Sequence, residues 1–250
     1  MKEILVKIDE QKQKLDSLRP LSSEQLSNLK SYFDVELTYN SNAIEGNTLT
    51  YNETKIVLNE GLTIGGKTLN EHLEVINHKE AIDFIEDLAN NSFITLKDIK
   101  DIHYLILKGI DNKNAGRFRD IEVGVRKSDG SIHKFPHPVE VESKMQEFMD
   151  ELSKDKQNPV IKSALAHLHF VSIHPFSDGN GRTARLLMNL ILLQNGYPIT
   201  VIKKEDRVEY IKAIESYQES KDEGIFCNFI AQKVLEGFDR YFEILDMKVI

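Results

Sequence analysis

Apolar residues recur at helical spacing along most of the 250-residue chain. Their positions, three or four residues apart, predict amphipathic helices. Five segments carry the pattern: residues 70–89, 139–152, 159–172, 182–194 and 205–245. We expect the last one to be interrupted near Gly224. Ser22, Thr50 and Thr95 are each followed three residues later by Gln, Glu or Asp, a capping-box pattern that predicts three further helix starts.

One region between Gly116 and Pro138 follows a different pattern. Apolar residues alternate with polar ones at Ile121, Val123 and Val125, and two further apolar residues, Ile132 and Phe135, come later in the segment. An Asp-Gly pair at residues 129–130 supplies a turn, so the segment is predicted to form a β-hairpin. The fold class is therefore mainly α, with one short β-hairpin. We expect one compact unit over residues 69–250, preceded by a helical extension over residues 1–68.

Composition narrows the classes of function. The chain has 32 Lys and Arg against 40 Asp and Glu, a formal net charge of −8. This balance argues against bulk binding to nucleic acid or to anionic membranes. The single Cys227 cannot form an internal disulfide, and no apolar signal-peptide core follows Met1. These features predict a cytoplasmic protein.

Two glycine-rich segments match nucleotide-binding patterns. Residues 61–68, GLTIGGKT, fit the P-loop, and residues 179–184, GNGRTA, fit the dinucleotide pattern. Both patterns require a preceding β-strand in a βαβ unit. The residues before each match favour helix or loop, so neither is interpreted in that way.

A longer segment, HPFSDGNGRTAR at residues 174–185, combines several features of an anion site. Gly179 and Gly181 allow backbone N–H groups to converge. A helix is predicted to begin near Gly181, so its positive end faces the same place. Arg182 and Arg185 lie three residues apart on one face of that helix and can both bind phosphate oxygens.

Two other side chains of this segment suit catalysis. His174 can act as a general base near neutral pH, and Asp178 suits a Mg²⁺ ion shared with phosphates. The helix that follows is apolar on nearly every side, so the arginines are expected to be buried. The alternative is a core helix whose arginines pair with carboxylates and whose glycine loop only caps it.

The same segment resembles the signature of the Fic domain, H-P-F-x-[DE]-G-N-G-R-x-x-R, at every specified position. The resemblance extends over about residues 69–235, including the helix before the signature and the hairpin. It implies a Fic-type helical bundle in which the hairpin is a flap. Most enzymes of this family transfer AMP from Mg·ATP to a Ser, Thr or Tyr hydroxyl of a target protein.

The resemblance also implies roles by position. His174 would deprotonate the target hydroxyl, and Asp178 would hold Mg²⁺. The residues that would bind the phosphates of ATP are Gly179, Asn180, Gly181, Arg182 and Arg185. The flap would align a target segment by strand addition, through Ile121, Val123, Ile132 and Phe135.

A second segment, SNAIEGN at residues 41–47, resembles the inhibitory motif [ST]-x-x-x-E-[GN] of the family. Ser41 and Glu45 are four residues apart, on one face of a helix that Gly46 should end. We hypothesise that Glu45 pairs with Arg185 and blocks productive ATP binding. The alternative is an exposed glutamate at a frayed helix end.

Three functions are compatible with this sequence. The first is a self-inhibited protein adenylyltransferase with ATP as co-substrate. The second is removal of AMP from a modified protein, alone or on the same site as the transfer. The third is a non-catalytic nucleotide-binding module, which His174 argues against. The target protein, self-modification and homo-oligomer formation stay open.

Overall fold

A computed structural model describes residues 1–127 and 129–246. Residue 128 of the predicted hairpin and residues 247–250 of the predicted second unit lie outside the described residues. The described chain forms ten α-helices and one two-stranded sheet. The helices are α1 (Lys2–Ser17), α2 (Ser23–Ile44), α3 (Tyr51–Glu60), α4 (Leu69–Leu88), α5 (Leu96–Leu107), α6 (Pro138–Lys154), α7 (Pro159–Ile173), α8 (Asn180–Gln194), α9 (Arg207–Ser220) and α10 (Gly224–Asp246).

The predicted helices are confirmed, with ends that differ by a few residues. Capping boxes start α2, α3 and α5 at Ser22, Thr50 and Thr95, where the side-chain oxygen accepts a backbone N–H three residues on. The expected break near Gly224 separates α9 from α10, and a 3₁₀ turn at Lys204–Asp206 precedes α9. Helix α1 was not predicted separately, because only a few apolar residues interrupt its charged sequence.

The hairpin is confirmed but shorter than the alternation suggested. Strands β1 (Gly124–Arg126) and β2 (Ile132–Lys134) pair antiparallel, with Val125 opposite His133. Beyond the strands, the Phe135 amide donates to the Val123 carbonyl at 3.3 Å. The hairpin thus projects from a helical body and reaches back to it through Phe135.

Helix α8 lies at the centre of the bundle and packs against α7, α4 and α5. Leu186, Leu187 and Leu190 of α8 are fully buried, as the nearly continuous apolar sequence of this helix predicts. Leu187 belongs to a core shared with α7 and α10, whereas Leu186 and Leu190 belong to a core shared with α2, α4 and α5. This position brings the first turn of α8, with its two arginines, into the interior.

The first and last helices pack together. Ile8 and Leu15 of α1 are fully buried in the core that contains α10. Within residues 1–127 and 129–246, no helix is both long enough and apolar enough to cross a membrane.

The P-loop-like segment is a turn between two helices, in agreement with the sequence interpretation. Gly61 ends α3 in the left-handed region, with φ +66°. Lys67 donates to the carbonyl and the hydroxyl of Thr48, at 2.6 and 2.9 Å. Its ammonium therefore joins this turn to the segment that follows α2.

Candidate active site

His174 ends α7 in an unusual backbone conformation. Its φ is +52°, in the left-handed region that non-glycine residues rarely adopt. Such a conformation costs a non-glycine residue about 1–3 kcal/mol, and it occurs at helix ends as well as at functional sites. Nδ1 of His174 lies 3.3 Å from the Val171 carbonyl, which can only accept a hydrogen bond. The proton is therefore on Nδ1, and Nε2 is the basic nitrogen.

The surroundings of the His174 ring favour its neutral form. The Phe135 ring stacks on it, with centroids 3.9 Å apart and planes 12° apart. Burial lowers the pKa of His174 to about 4, and the nearby charge of Arg119 acts in the same direction. The Val171 carbonyl, Glu45 and Asp178 oppose this shift. At neutral pH the imidazole is therefore uncharged.

The shape of the loop between His174 and α8 is fixed by hydrogen bonds between the Asn180 side chain and the Phe176 backbone. Asn180 accepts the Phe176 N–H at 3.0 Å and donates to the Phe176 carbonyl at 2.9 Å. Gly179 precedes α8 with φ +73°, and no side chain caps the helix. The first amides of α8 have no partner within the helix, so they are suited to an anion. Because the Asn180 amide is engaged with Phe176, its assignment as a phosphate ligand stays a prediction.

His103 of α5 contacts this loop and holds it in place, a role that the sequence did not indicate. Its ring stacks on Phe176, with centroids 3.6 Å apart and planes 2° apart. The Gly116 N–H donates to Nδ1 at 2.9 Å, so the other nitrogen, Nε2, donates to the Asp178 carbonyl at 3.0 Å. Burial lowers the pKa of His103 to about 4. The neutral ring therefore links α5 to the glycine loop.

Arg185 is 1% exposed and makes several contacts inside the bundle. Its Nε donates to the Ser41 hydroxyl at 3.0 Å, and Nη2 donates to the Ser41 carbonyl at 2.9 Å. Nη2 also lies 2.7 Å from Oε1 of Glu45. The structure therefore brings Arg185 together with Ser41 and Glu45, which lie 144 and 140 residues away from it in the chain.

On its other side, Arg185 is connected by buried hydrogen bonds to Tyr210 and through it to His167. Nη1 of Arg185 donates to the Tyr210 hydroxyl at 3.4 Å, and the same oxygen is hydrogen-bonded to Nε2 of His167, 2.8 Å away. Burial lowers the pKa of His167 well below its usual value, and Arg185 adds to the effect. His167 is therefore neutral, and its hydrogen bond holds the Tyr210 hydroxyl beside Arg185.

Glu45 caps the C-terminal end of α2 and faces the cleft, with 37% of its side chain exposed. Burial by itself raises its pKa, but the charge of Arg185 and the hydrogen bond from it outweigh this, so the pKa is lowered. Gly181 is close beside it, and a Cβ at that position would overlap Oε1 of Glu45. Arg207 fixes the end of α2 by donating to the Ile44 carbonyl at 2.9 Å.

Arg182 is also paired with a carboxylate that the sequence did not indicate. The guanidinium is 3% exposed and lies 3.3 Å from Glu74 of α4 and 3.4 Å from Asp178. Glu74 in turn accepts a hydrogen bond from Asn47, at 2.8 Å. The segment that follows Glu45 is thus connected to Arg182, the first arginine of the signature.

Asp178 is the one signature carboxylate, and its side chain is 72% exposed. One oxygen accepts the Gly179 N–H at 2.7 Å. Among the described residues, no group of three or more His, Cys, Asp or Glu side chains could hold a metal ion. A single carboxylate fits Mg²⁺ only when phosphates and water supply the other ligands, which is the usual arrangement for this ion.

The predicted flap residues have different surroundings. Ile121 and Ile132 are 56% and 62% exposed, whereas Val123 is half-buried. Phe135 is half-buried and stacks on His174, as described above. The exposed pair is available to a docking segment, and Phe135 connects the flap to the imidazole.

Some of these residues line one cavity of about 580 Å³, whereas Asp178, Asn180 and Arg182 are not among its walls. Its walls include His174, Phe135, Gly181, Arg185 and Glu45. A basic imidazole nitrogen, a helix N-terminus and a buried arginine therefore face one space of the size that small-molecule ligands occupy. Such an arrangement can bind a phosphate ester and accept a proton beside it.

Residues 93–192 match the Fic/DOC family. The chain is 30% identical to a Fic-domain-containing signalling protein of Bacteroides thetaiotaomicron, whose crystal structure superposes with a TM-score of 0.87 over 95% of this chain and 96% of that one. Fic-1 of C. elegans, residues 134–508, also gives a TM-score of 0.87, at 29% identity, over 98% of this chain and 72% of that one. The chain belongs to the Fic family.

Curated relatives carry the name protein adenylyltransferase Fic. One from Nematostella vectensis is 38% identical over 96% of this chain and 56% of its own length. Another, from Drosophila grimshawi, is 36% identical over 95% of this chain and 48% of its own length. The chain thus spans about half the length of the curated relatives it matches.

Proposed function

We propose that the protein is a protein adenylyltransferase that transfers AMP from ATP to a hydroxyl of a target protein and is inhibited by its own Glu45. The observation that carries the proposal is the common cavity of His174, Gly181, Arg185 and Glu45. A loop that only caps a core helix would not need a basic imidazole nitrogen in the cavity. The names of the curated relatives support the same activity.

In the proposed reaction, the target hydroxyl lies within hydrogen-bonding distance of Nε2 of His174. Its oxygen attacks the α-phosphorus of ATP, the bond from that phosphorus to the oxygen bridging to the β-phosphate breaks, and pyrophosphate leaves. The hydroxyl proton passes to Nε2, while Nδ1 keeps its proton on the Val171 carbonyl. The phosphates of ATP raise the pKa of His174 toward neutrality when they bind, which strengthens the base.

The remaining groups bind charge. The amides at the start of α8 face the phosphates, and Arg182 and Arg185 would bind the β- and γ-phosphates once their carboxylate partners are displaced. Asp178, together with phosphate oxygens and water, would hold a Mg²⁺ ion, which neutralises charge on the leaving pyrophosphate when bound. The exposed edge of the flap, with Ile121 and Ile132, would align the target segment.

Glu45 inhibits by occupying Arg185. The 2.7 Å ion pair engages the guanidinium that would otherwise bind the terminal phosphate of ATP. A nucleotide bound without that contact is not held for attack at its α-phosphorus. Ser41 accepts from the Nε of the same guanidinium, so it supports the inhibited geometry.

Removal of AMP is a second candidate, favoured by the position of the Glu45 carboxylate on the wall of the cavity that contains His174. There it can orient a water molecule toward a bound phosphate ester. Self-modification, homo-oligomer formation and a cytoplasmic location stay predictions.

The proposal is tested by incubating wild type and Glu45→Gly with Mg·ATP labelled on the α- or the γ-phosphate, with cell extract as the source of targets. We expect α-label alone to enter protein, at least about tenfold faster for Glu45→Gly, the effect of releasing an ion pair worth ~1.4 kcal/mol. His174→Ala in the same background should slow transfer by about 100-fold or more, the usual loss of a general base.

A matched control is Glu60→Gly, the same substitution at the exposed C-terminal end of α3, and it should leave the rate unchanged. Incorporation of γ-label would identify phosphate transfer instead. Loss of AMP from purified modified protein would identify removal. Nucleotide binding with neither reaction would overturn both enzymatic proposals.

A further inference from the structure

Arg119 is a buried arginine between α5 and the flap, and its side chain makes three hydrogen bonds to backbone carbonyls. It is 5% exposed. Its Nε donates to the His174 carbonyl at 2.8 Å, Nη1 to the Ile121 carbonyl at 2.9 Å, and Nη2 to the Pro136 carbonyl at 2.6 Å. No carboxylate forms an ion pair with this guanidinium among the described residues.

These three carbonyls belong to the parts of the candidate site that must be aligned. Ile121 and Pro136 stand at the two ends of the flap, and His174 is the proposed base. The backbone N–H of Arg119 adds a fourth link, to the Pro175 carbonyl at 3.0 Å. One residue therefore closes the base of the hairpin and joins it to the histidine.

The carbonyl of His174 needs such a donor. It belongs to the residue at which α7 leaves helical geometry in a left-handed conformation. A buried carbonyl without a donor would cost about as much as a lost hydrogen bond. Arg119 supplies the donor, so it stabilises the conformation that directs the imidazole into the cavity.

We propose that Arg119 is a positioning residue that holds the flap and His174 in one fixed relation, so that a target segment bound to the flap presents its hydroxyl to Nε2. The proposal deepens the proposed function and rests on the role of His174 as its base. A lysine in this place cannot replace the guanidinium, because its single nitrogen cannot reach three carbonyls in different directions at once.

Arg119 also contributes to the electrostatics of the imidazole. After burial, its positive charge is the next influence that lowers the pKa of His174, and the charged groups acting in the opposite direction are Glu45 and Asp178. Removing the charge should therefore raise the pKa of His174. Keeping the charge while losing the three-way contact should leave that pKa low.

This difference allows the two effects to be separated without any measurement of AMP transfer. The variants are Arg119→Lys and Arg119→Gln, and the control is Arg117→Gln, which removes the same charge from an exposed position two residues away. The pKa of His174 is measured by NMR titration of its ring protons, assigned with His174→Ala. Amide hydrogen exchange is followed by mass spectrometry over residues 121–136.

We expect both Arg119 variants to speed flap exchange about tenfold, as for one lost hydrogen bond from a charged donor, and Arg117→Gln to leave it unchanged. The His174 pKa should rise in Arg119→Gln but not in Arg119→Lys. Unchanged flap exchange in both Arg119 variants would overturn the proposal, whatever the activity. If Arg119→Gln fails to fold, exchange in Arg119→Lys alone decides. If flap exchange behaves as expected but wild type and Glu45→Gly transfer no AMP, the proposed function is contradicted instead.

Discussion

Gly181 and Glu45 are in close contact at the N-terminal end of α8, and each limits which side chain can be accommodated at the other position. Gly181 does not have a positive φ, so an alanine would fit its backbone and would favour the helix by about 1 kcal/mol. The obstacle is the Glu45 carboxylate, which a Cβ would overlap. The effect of a methyl group at this position should therefore depend on whether that carboxylate is present.

We predict that Gly181→Ala destabilises the protein by about 1–3 kcal/mol when Glu45 is present, because the carboxylate is forced away from Arg185. In a Glu45→Ala background the same change should be neutral or stabilising. Urea unfolding of the four proteins of this double-mutant cycle measures the coupling. An equal effect of Gly181→Ala in both backgrounds would show that the two residues do not interact.

Among individual residues, the sequence indicated the members of the two motifs but not the residues that hold them in place. His174, Arg182 and Arg185 were identifiable because their spacing is short and their chemistry is distinctive. His103 was not, because it meets its partner carbonyl 75 residues further along the chain. Arg119 bonds only backbone carbonyls through its side chain, which have no signature in the residue types that carry them.

Among the elements, α8 combines the site with the core. Its first turn holds Arg182 and Arg185, and its later turns are buried on all sides. The apolar sequence predicted this burial directly. The same reasoning did not predict that α4 would supply Glu74 to Arg182, because the order of helices around α8 depends on packing rather than on periodicity.

We predict that Leu190→Ala lowers the free energy of unfolding by about 2–5 kcal/mol, since the side chain is fully buried in the core around α8. Leu26→Ala is a matched control, because the same atoms are removed from a side chain that is 52% exposed, and it should cost less than about 0.5 kcal/mol. Equal losses in denaturant unfolding would mean that α8 is not as tightly packed as described.

For the whole molecule, buried histidines couple stability to pH. Burial lowers the pKa values of His78, His103, His167 and His174, the second and fourth to about 4. Below about pH 6.5 the unfolded chain therefore binds protons that the folded one does not. The stabilisation from these neutral rings is present at higher pH and is lost as the pH falls from about 6.5 toward 4.

We predict that the free energy of unfolding falls over this range by up to ~1.4 kcal/mol per pH unit for each such histidine. His103→Gln should reduce the change in the free energy of unfolding per pH unit by about the contribution of one histidine. Urea unfolding at several pH values above and below 6.5 measures it. A stability that is constant from about pH 7 to pH 5 would contradict the lowered pKa values.

The overall class, mainly helical with one hairpin, was predictable from periodicity and turn residues alone. The division of the chain at residues 68 and 69 stays a prediction. Helix α1 was not predicted from apolar periodicity. Its two fully buried residues, Ile8 and Leu15, are separated by two turns of mostly charged sequence. Their burial depends on α10, at the other end of the chain.

If Glu45 inhibits as proposed, its contact with Arg185 makes the inhibition an intramolecular competition. The competing carboxylate is tethered, so its local concentration is constant and dilution of the protein does not weaken it. If the pair is favoured by ~1.4 kcal/mol, about one molecule in ten has an open arginine, and the apparent affinity for ATP falls about tenfold. The proposed enzyme would then respond to ATP over a higher concentration range, set by how firmly Arg207 and Ser41 hold the end of α2.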